Sequence, residues 1–275
     1  MTPEQSTERR RVLVALDPCA VDPADFEASA QLAAGLGAEL VALFVEDSDL
    51  IAAADLPVTH LVPAGCRELA ALDAAAMRRA FRAAEARARA QLSSVAQRWR
   101  LTHSFQVTEV RQAGETLARL TRQDVLTLTG AGGQRAALTR RAAAVRAERA
   151  PCPVMLLRRD SRRGQPVAVL YEGDGDNEDG LRLGRDLAAA YGSPLLLLAT
   201  GEAAEAEAAS WLAETGTAGR IERIAAWEAT DLARRLCELD AGLAVIDRRA
   251  AIGGSLDLDD LAEATRASLV VLGSA

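Results

Sequence analysis

Two short passages of this 275-residue chain carry residue types able to hold a phosphate-bearing ligand. The apolar run RVLVALD (11–17) ends in a carboxylate, and DVLTLTG (124–130) runs directly into Gly130-Ala-Gly132-Gly133. Glycines just after a strand let the backbone approach phosphate oxygens, and a following helix N-terminus supplies N–H donors and a favourable dipole. In an open parallel sheet, ligands sit at the carboxyl ends of strands near the point where strand order reverses. Asp17 and Gly130 are expected to meet there.

The other chemistry-bearing residues read as structural. DGDNEDG (174–180) looks like a calcium loop, but that pattern needs glycine at its sixth place and Glu at its twelfth; the chain has Asp179 and Arg185. It reads as an acidic turn and helix cap, and no metal is expected. His60 and His103 are the only histidines and lack the neighbours of a metal site or triad. The four cysteines, Cys19, Cys66, Cys152 and Cys237, form no CxxC pair, which argues against a disulfide framework or a zinc site. Cys152 reads as a buried inert thiol, and Cys19, close to Asp17, is the thiol to test for redox sensitivity. Glu46, Asp47 and Asp49 read as solvated residues at a strand end. The Pro-bounded segment 54–66 is apolar for a loop, with Leu56, Val58, Leu61 and Val62. It either packs beneath the long helix that follows or covers the cleft or a protein partner.

Composition removes whole classes of chemistry. All 32 basic residues are arginine, so the lysine of a Walker A loop and the lysine of Schiff-base catalysis are both missing. From residue 164 onward there are 20 acidic residues against 9 arginines, a balance of −11; the earlier part has 19 against 23, or +4. The acidic second half argues against nucleic acid, because phosphates need cations to replace their counterions. The apolar runs, such as PLLLLA at 194–199, are too short to cross a bilayer, and the N-terminus does not read as a signal peptide. A cytoplasmic location is expected. Hydrophobic residues make up 49% of the chain, enough for two cores.

The elements that must position these residues come in one order, written twice. RVLVALD, a helical pattern closing near a glycine, and ELVALFVED (39–47) are matched by PVAVLYE (166–172), EDGLRLGRDLAAAYGS and PLLLLAT (194–200). This is read as an internal duplication. In the first half there follow a helix over about 69–99, a strand at 105–110, the short helix ETLARLTRQ, a strand at 124–130, an Ala/Arg helix to about 149 and a strand at 153–158. The second half continues with the helix AEAEAASWLAET, the strand RIERIAAW, the helix TDLARRLCEL, a strand at 242–247, the helix DDLAEATR and a strand at 268–273. Strands alternating with helices imply an α/β fold of two tandem doubly wound parallel five-stranded sheets. The domains are placed at 1–160 and 161–275, with DSRRGQ (160–165) as linker.

These motifs resemble the universal stress protein family. VLVALD matches its first strand ending in Asp, LFVED (43–47) its second strand, and APCPVMLLR (150–158) its closing Pro-Val strand. The resemblance implies that Asp17 contacts adenine or ribose, that the Val45 backbone meets the base, and that Gly130 and Gly133 sit at the phosphates of ATP or another adenine nucleotide. The family loop G-x2-G-x9-G-(S/T) departs here. Nine residues beyond Gly133 come Ala143-Ala144, and counting back from the Pro-Val strand puts Arg140-Arg141 there instead. These arginines either contact phosphate themselves or fill the space. In the second half Tyr171-Glu172 and Asp247-Arg248-Arg249 carry neither the Asp nor the glycine of the motif.

The resemblance implies a stress-response regulatory or binding module and not an enzyme. A ligand-free structural or protein-interaction module is the alternative, and slow ATP hydrolysis a third. It also implies a homo-oligomer or an intramolecular pseudo-dimer in which the halves associate through their last strands; no nucleic acid and no membrane are expected from the charge and the short apolar runs.

Overall fold

The computed structural model describes residues 10–16, 22–46, 48–56, 60–61, 70–71, 73–129, 151–158, 164–173, 178–224, 228–247 and 256–272. In the first half the chain runs through β1 (Arg11–Leu16), α1 (Pro23–Leu36), β2 (Glu39–Glu46), α2 (Ser48–Ala54) and the two-residue strands β3 (His60–Leu61) and β4 (Ala70–Ala71). It continues through α3 (Ala74–Trp99), β5 (His103–Glu109), α4 (Val110–Ala118), β6 (Val125–Thr129) and β7 (Val154–Leu157). The second half comprises β8 (Val167–Tyr171), α5 (Glu178–Tyr191), β9 (Leu195–Thr200), α6 (Gly201–Thr215) and β10 (Gly219–Ile224). It ends with α7 (Ala229–Glu238), β11 (Leu243–Asp247), α8 (Leu258–Ala264) and β12 (Ser268–Leu272).

Ten strands form one sheet in the order β10-β9-β8-β11-β12-β7-β6-β1-β2-β5. Every pairing is parallel except β12 with β7, where Val270 faces Met155 and Val271 faces Val154. Two doubly wound five-stranded parallel sets of strands are thus joined edge to edge through their last strands, the arrangement that the family resemblance implies. The pairing removes the edge that each half would otherwise expose there. The strands alternate between two buried faces. Val12, Val14 and Leu16 face a core shared with α1, α3, α5 and α6 that runs across both halves. Leu13 lies with Leu126, Val154 and buried Cys152 on the opposite face, and α7 and α8 cover that face in the second half.

Local chemistry sets the helix limits. Asp22 caps α1, its Oδ1 accepting from Ala24 N at 2.8 Å with Pro23 at the first helical position, and Gly37 ends it at φ +61°. α3 starts at an Asp73 cap and keeps Phe81, Ala84, Ala88, Leu92 and Val95 buried along one stripe. Over 69–99 the helix starts later than its composition suggests, because Ala70 and Ala71 pair with Leu61 and His60. β5 ends at Glu109 and α4 starts at Val110, so the short helix begins five residues before ETLARLTRQ. α2 occupies the stretch read as a solvated strand end; Ala and Leu at 50–54 outweigh the acidic residues before them.

The outer strand β5 is held by Phe105, whose ring centroid lies 6.2 Å from that of Phe44. The Arg89 guanidinium sits 4.3 Å above the Phe105 ring. At the amino ends of β1 and β6, buried Asp124 accepts from Arg11 Nη2 (2.7 Å), Arg11 Nε (3.0 Å), Thr121 N (2.8 Å) and Thr121 Oγ1 (3.1 Å). Burial pushes this carboxyl up, but the hydrogen bonds and charge of Arg11 and the Thr121 bonds more than reverse that and hold its pKa below the ordinary carboxylate value.

The halves also meet through helices. α1 and α5 pass so closely that a Cβ built on Gly35 would lie 2.2 Å from Ala190 Cβ and 2.4 Å from Ala190 Cα. Arg10, the residue before β1, pairs with Asp186 of α5 at 3.5 Å.

Candidate functional site

The first half places its strands in the order β7-β6-β1-β2-β5. The chain moves outward from β1 to β2 to β5, then returns to lay β6 and β7 on the other flank of β1. Strand order therefore reverses between β1 and β6, the position at which open α/β sheets bind ligands. Val12 faces Val125 and Ala15 faces Leu128, so the two strands run level to their carboxyl ends. Two residues further along each segment come Asp17 and Gly130 in the sequence. Asp17, Gly130, Gly133, Arg140 and Arg141 lie outside the described residues, as does Cys19.

Val45 is described. It is half-buried in β2 and faces Thr108 of β5. The β1–β2 pairing ends with Leu16 facing Phe44, so Val45 is the first residue of β2 beyond that ladder. Its backbone stands at the carboxyl edge, next to the end of β1.

A hydroxyl relay fixes α1 over this edge. Thr127 Oγ1 donates to Leu13 O at 2.8 Å, and Ser29 Oγ of α1 lies 3.3 Å from Thr127 Oγ1. With the Thr127 proton committed to Leu13, the Ser29 hydroxyl donates. All of it is buried, and it ties α1, β6 and β1 at the point of reversal. Asp25, in the first turn of α1, is buried at the same edge. Sequence reasoning missed Asp25, Ser29 and Thr127; the only signal was their polarity inside apolar stretches.

The equivalent edge of the second half lies between β8 and β11, where Leu243 faces Val167 and Val245 faces Val169. Tyr171 and Asp247 end these strands, and both are buried. The Tyr171 hydroxyl donates to Glu207 Oε2 of α6 at 2.9 Å. Gly173, at φ +81°, backs so closely onto α6 that a Cβ there would lie 2.7 Å from Ala204 Cα. α6 follows β9 without an intervening loop, and its first turns close over the end of β8. Side chains and a helix thus occupy the end of β8 in this half.

Comparison with solved structures assigns the fold. A universal stress protein from Archaeoglobus fulgidus superposes with a TM-score of 0.62 at 12% identity, covering 96% of each chain. The fold is that of the universal stress proteins. A functionally unknown protein from Pseudomonas aeruginosa PAO1 matches at TM-score 0.59 and 18% identity, over 97% of this chain and 93% of that one. The cytoplasmic domain of a prokaryotic cation chloride cotransporter matches at 0.54 and 12% identity, over 96% of each. No protein-family model matches the sequence, and no curated protein does.

Among the described residues no group of three or more His, Cys, Asp or Glu is arranged to hold a metal ion. No described helix is long and apolar enough to cross a membrane.

Proposed function

We propose that the protein is a stress-response regulatory module that binds an adenine nucleotide at the first half's carboxyl edge and acts through binding, not turnover. The observation that supports this is the level ending of β1 and β6 where strand order reverses, with Asp17 and the glycine-rich turn next in sequence. In this reading Asp17 accepts from ribose or adenine, and the Val45 backbone, clear of the β1–β2 ladder, meets the base. Gly130 and Gly133 let the chain approach the phosphates. Arg140 and Arg141 replace the missing hydroxyl with charge-assisted donors.

A second reading is favoured by the second half and by one neighbour. Tyr171 and the close pass of Gly173 on Ala204 fill one edge with protein, and a cotransporter's cytoplasmic domain has the same fold. Both halves would then be ligand-free, and the chain would work by docking a protein partner. Leu56, within the apolar segment 54–66, is 56% exposed and marks where such a partner would sit.

The test is to denature purified protein, look for released adenine nucleotide, and titrate ATP, ADP and AMP by calorimetry. Binding that Asp17→Ala weakens at least about tenfold, the scale of a lost hydrogen bond to a charged group, supports the first reading. No released nucleotide and no heat at millimolar ligand would refute it and leave the docking module.

A further inference from the structure

Joining the halves through β7 and β12 leaves the ten-stranded sheet with two outer strands, β10 and β5. An outer strand presents unpaired N–H and C=O groups, and proteins commonly guard such edges with charge. β10 is guarded. Three of its six residues are charged: Arg220 pairs with Glu222, Glu222 also takes Arg235 of α7 at 2.5 Å, and Arg223 reaches Glu205 of α6 at 3.7 Å. β5 (HSFQVTE) carries no arginine, lysine or proline, and its Val107 is 46% exposed. α3 and α4 lie against β2 as well as β5, and so over the sheet rather than beyond its edge. Among the described residues β5 pairs with β2 alone.

The register shows which backbone groups are open. Leu40 faces His103, and Leu40 N donates to Thr102 O at 3.0 Å. Backbone groups alternate sides along a strand, so Ser104, Gln106 and Thr108 turn theirs toward β2, and Phe105 and Val107 turn theirs outward. The side chains of Phe105 and Val107 share one face of the sheet, where they stand opposite Ala42 and Phe44.

The sequence of β5 is complementary to its own reverse. Set antiparallel to a second copy with Gln106 opposite Gln106, Phe105 faces Val107, Ser104 faces Thr108 and His103 faces Glu109. Each is a favourable cross-strand pair: aromatic with β-branched, hydroxyl with hydroxyl, imidazole with carboxylate. Phe105 and Val107 are also the residues with outward backbone groups, so these pairs exchange both N–H···O bonds, and the Gln106 pair on the axis is a non-hydrogen-bonded one. Centring on Phe105 or on Val107 instead would set His103 against Val107 or Phe105 against Glu109.

We infer that β5 is a homodimerisation edge. It pairs antiparallel with β5 of a second copy about a two-fold axis at Gln106, joining the two sheets into one.

The test is sedimentation of the full chain with matched variants. A strand-edge contact is small, so the wild type should sediment as two copies at about 100 µM and dissociate on dilution. Val107→Arg changes an exposed side chain and sets a charge against Phe105 of the second copy. It should keep its circular dichroism spectrum and sediment as a single chain. With Cys19, Cys66 and Cys237 changed to Ser, Gln106→Cys should cross-link to its copy on mild oxidation. Opposite Cα atoms in a non-hydrogen-bonded pair stand about 4.5 Å apart, within disulfide range. Ser104→Cys, about 14 Å from its copy across the axis, should not cross-link. A single-chain wild type would leave the edge to a strand of another protein and overturn the inference. So would a dimer that survives Val107→Arg, or equal cross-linking of Ser104→Cys and Gln106→Cys. Species larger than two copies would mean head-to-tail pairing of β5 with β10 and would overturn it as well.

Discussion

Gly35→Ala separates two effects that act in opposite directions. In the interior of an isolated helix this change stabilises by about 1 kcal/mol, because glycine has the larger backbone entropy to lose. In α1 the added Cβ would stand 2.2 Å from Ala190 Cβ and 2.4 Å from Ala190 Cα. Carbon atoms in contact prefer about 3.5–4.0 Å. One obstacle is backbone, so no rotamer change relieves it and α1 and α5 must part by about 1 Å. A gap of that size forfeits a quarter to a half of each neighbouring contact, and overpacking of this kind costs about 1–3 kcal/mol. Set against the propensity gain, the expected result is a net loss of up to roughly 2 kcal/mol.

The assay is urea unfolding followed by circular dichroism, with the midpoint and slope compared between variants. A loss at the upper end of this range in a chain this long lowers the melting temperature by roughly 4–8 °C. Ala190→Gly removes the nearer of the two obstacles, so the double variant should recover part of the loss, giving a coupling of about 0.5–1 kcal/mol. A Gly35→Ala protein more stable than the wild type, as helix propensity alone predicts, would refute the close helix crossing.

Further outcomes follow from the same geometry. Asp124→Asn turns one acceptor oxygen into a donor facing the donors of Arg11 and Thr121, and should cost about 2–4 kcal/mol by chemical unfolding; the half-open Arg11 side keeps it below a fully buried pair. Because the folded pKa of Asp124 lies below its unfolded value, its contribution is complete above about pH 4 and is lost as pH falls through the folded pKa. The wild type should therefore lose stability below pH 4 more steeply than Asp124→Asn. With Cys19 and Cys66 changed to Ser, a thiol reagent should label exposed Cys237 at once. Cys152, its thiol pKa pushed up to about 12 by burial and by the Asp124 charge, should react only on unfolding; rapid labelling of both would contradict the buried position.

The fold was legible because its strands are continuous aliphatic runs, such as LLLLA in β9, buried on both faces, and because the same plan occurs twice. The caps at Asp22, followed by Pro23, and at Asp73 follow from local chemistry. The close contacts were not legible. Nothing in the spacing of Gly35 and Ala190, or of Ser29 and Thr127, announces that they touch, since such pairs are set by where whole elements pack. Val45 alone among the candidate ligand residues falls on described structure; Asp17, Gly130, Gly133, Arg140 and Arg141 lie outside it.

The antiparallel seam has a consequence for how such a module can signal. Within each half the strands run parallel, and β7 and β12 oppose each other, so the two sets of carboxyl ends lie on opposite long edges of the twisted sheet. The β1–β6 edge and the β8–β11 edge cannot merge into one cleft, and any communication between the halves must pass through the seam or the helices above it. α1 is placed for that role. Its capped start stands at the carboxyl edge of β1, its Ser29 is tied to the Thr127 relay, and its Gly35 rests on α5. A ligand that shifts this helix at one end is felt at the other. Gly35→Ala, which moves the far end of α1, should therefore change nucleotide affinity at the β1–β6 edge. An unchanged affinity in a folded Gly35→Ala protein would show that the helix does not couple the two places.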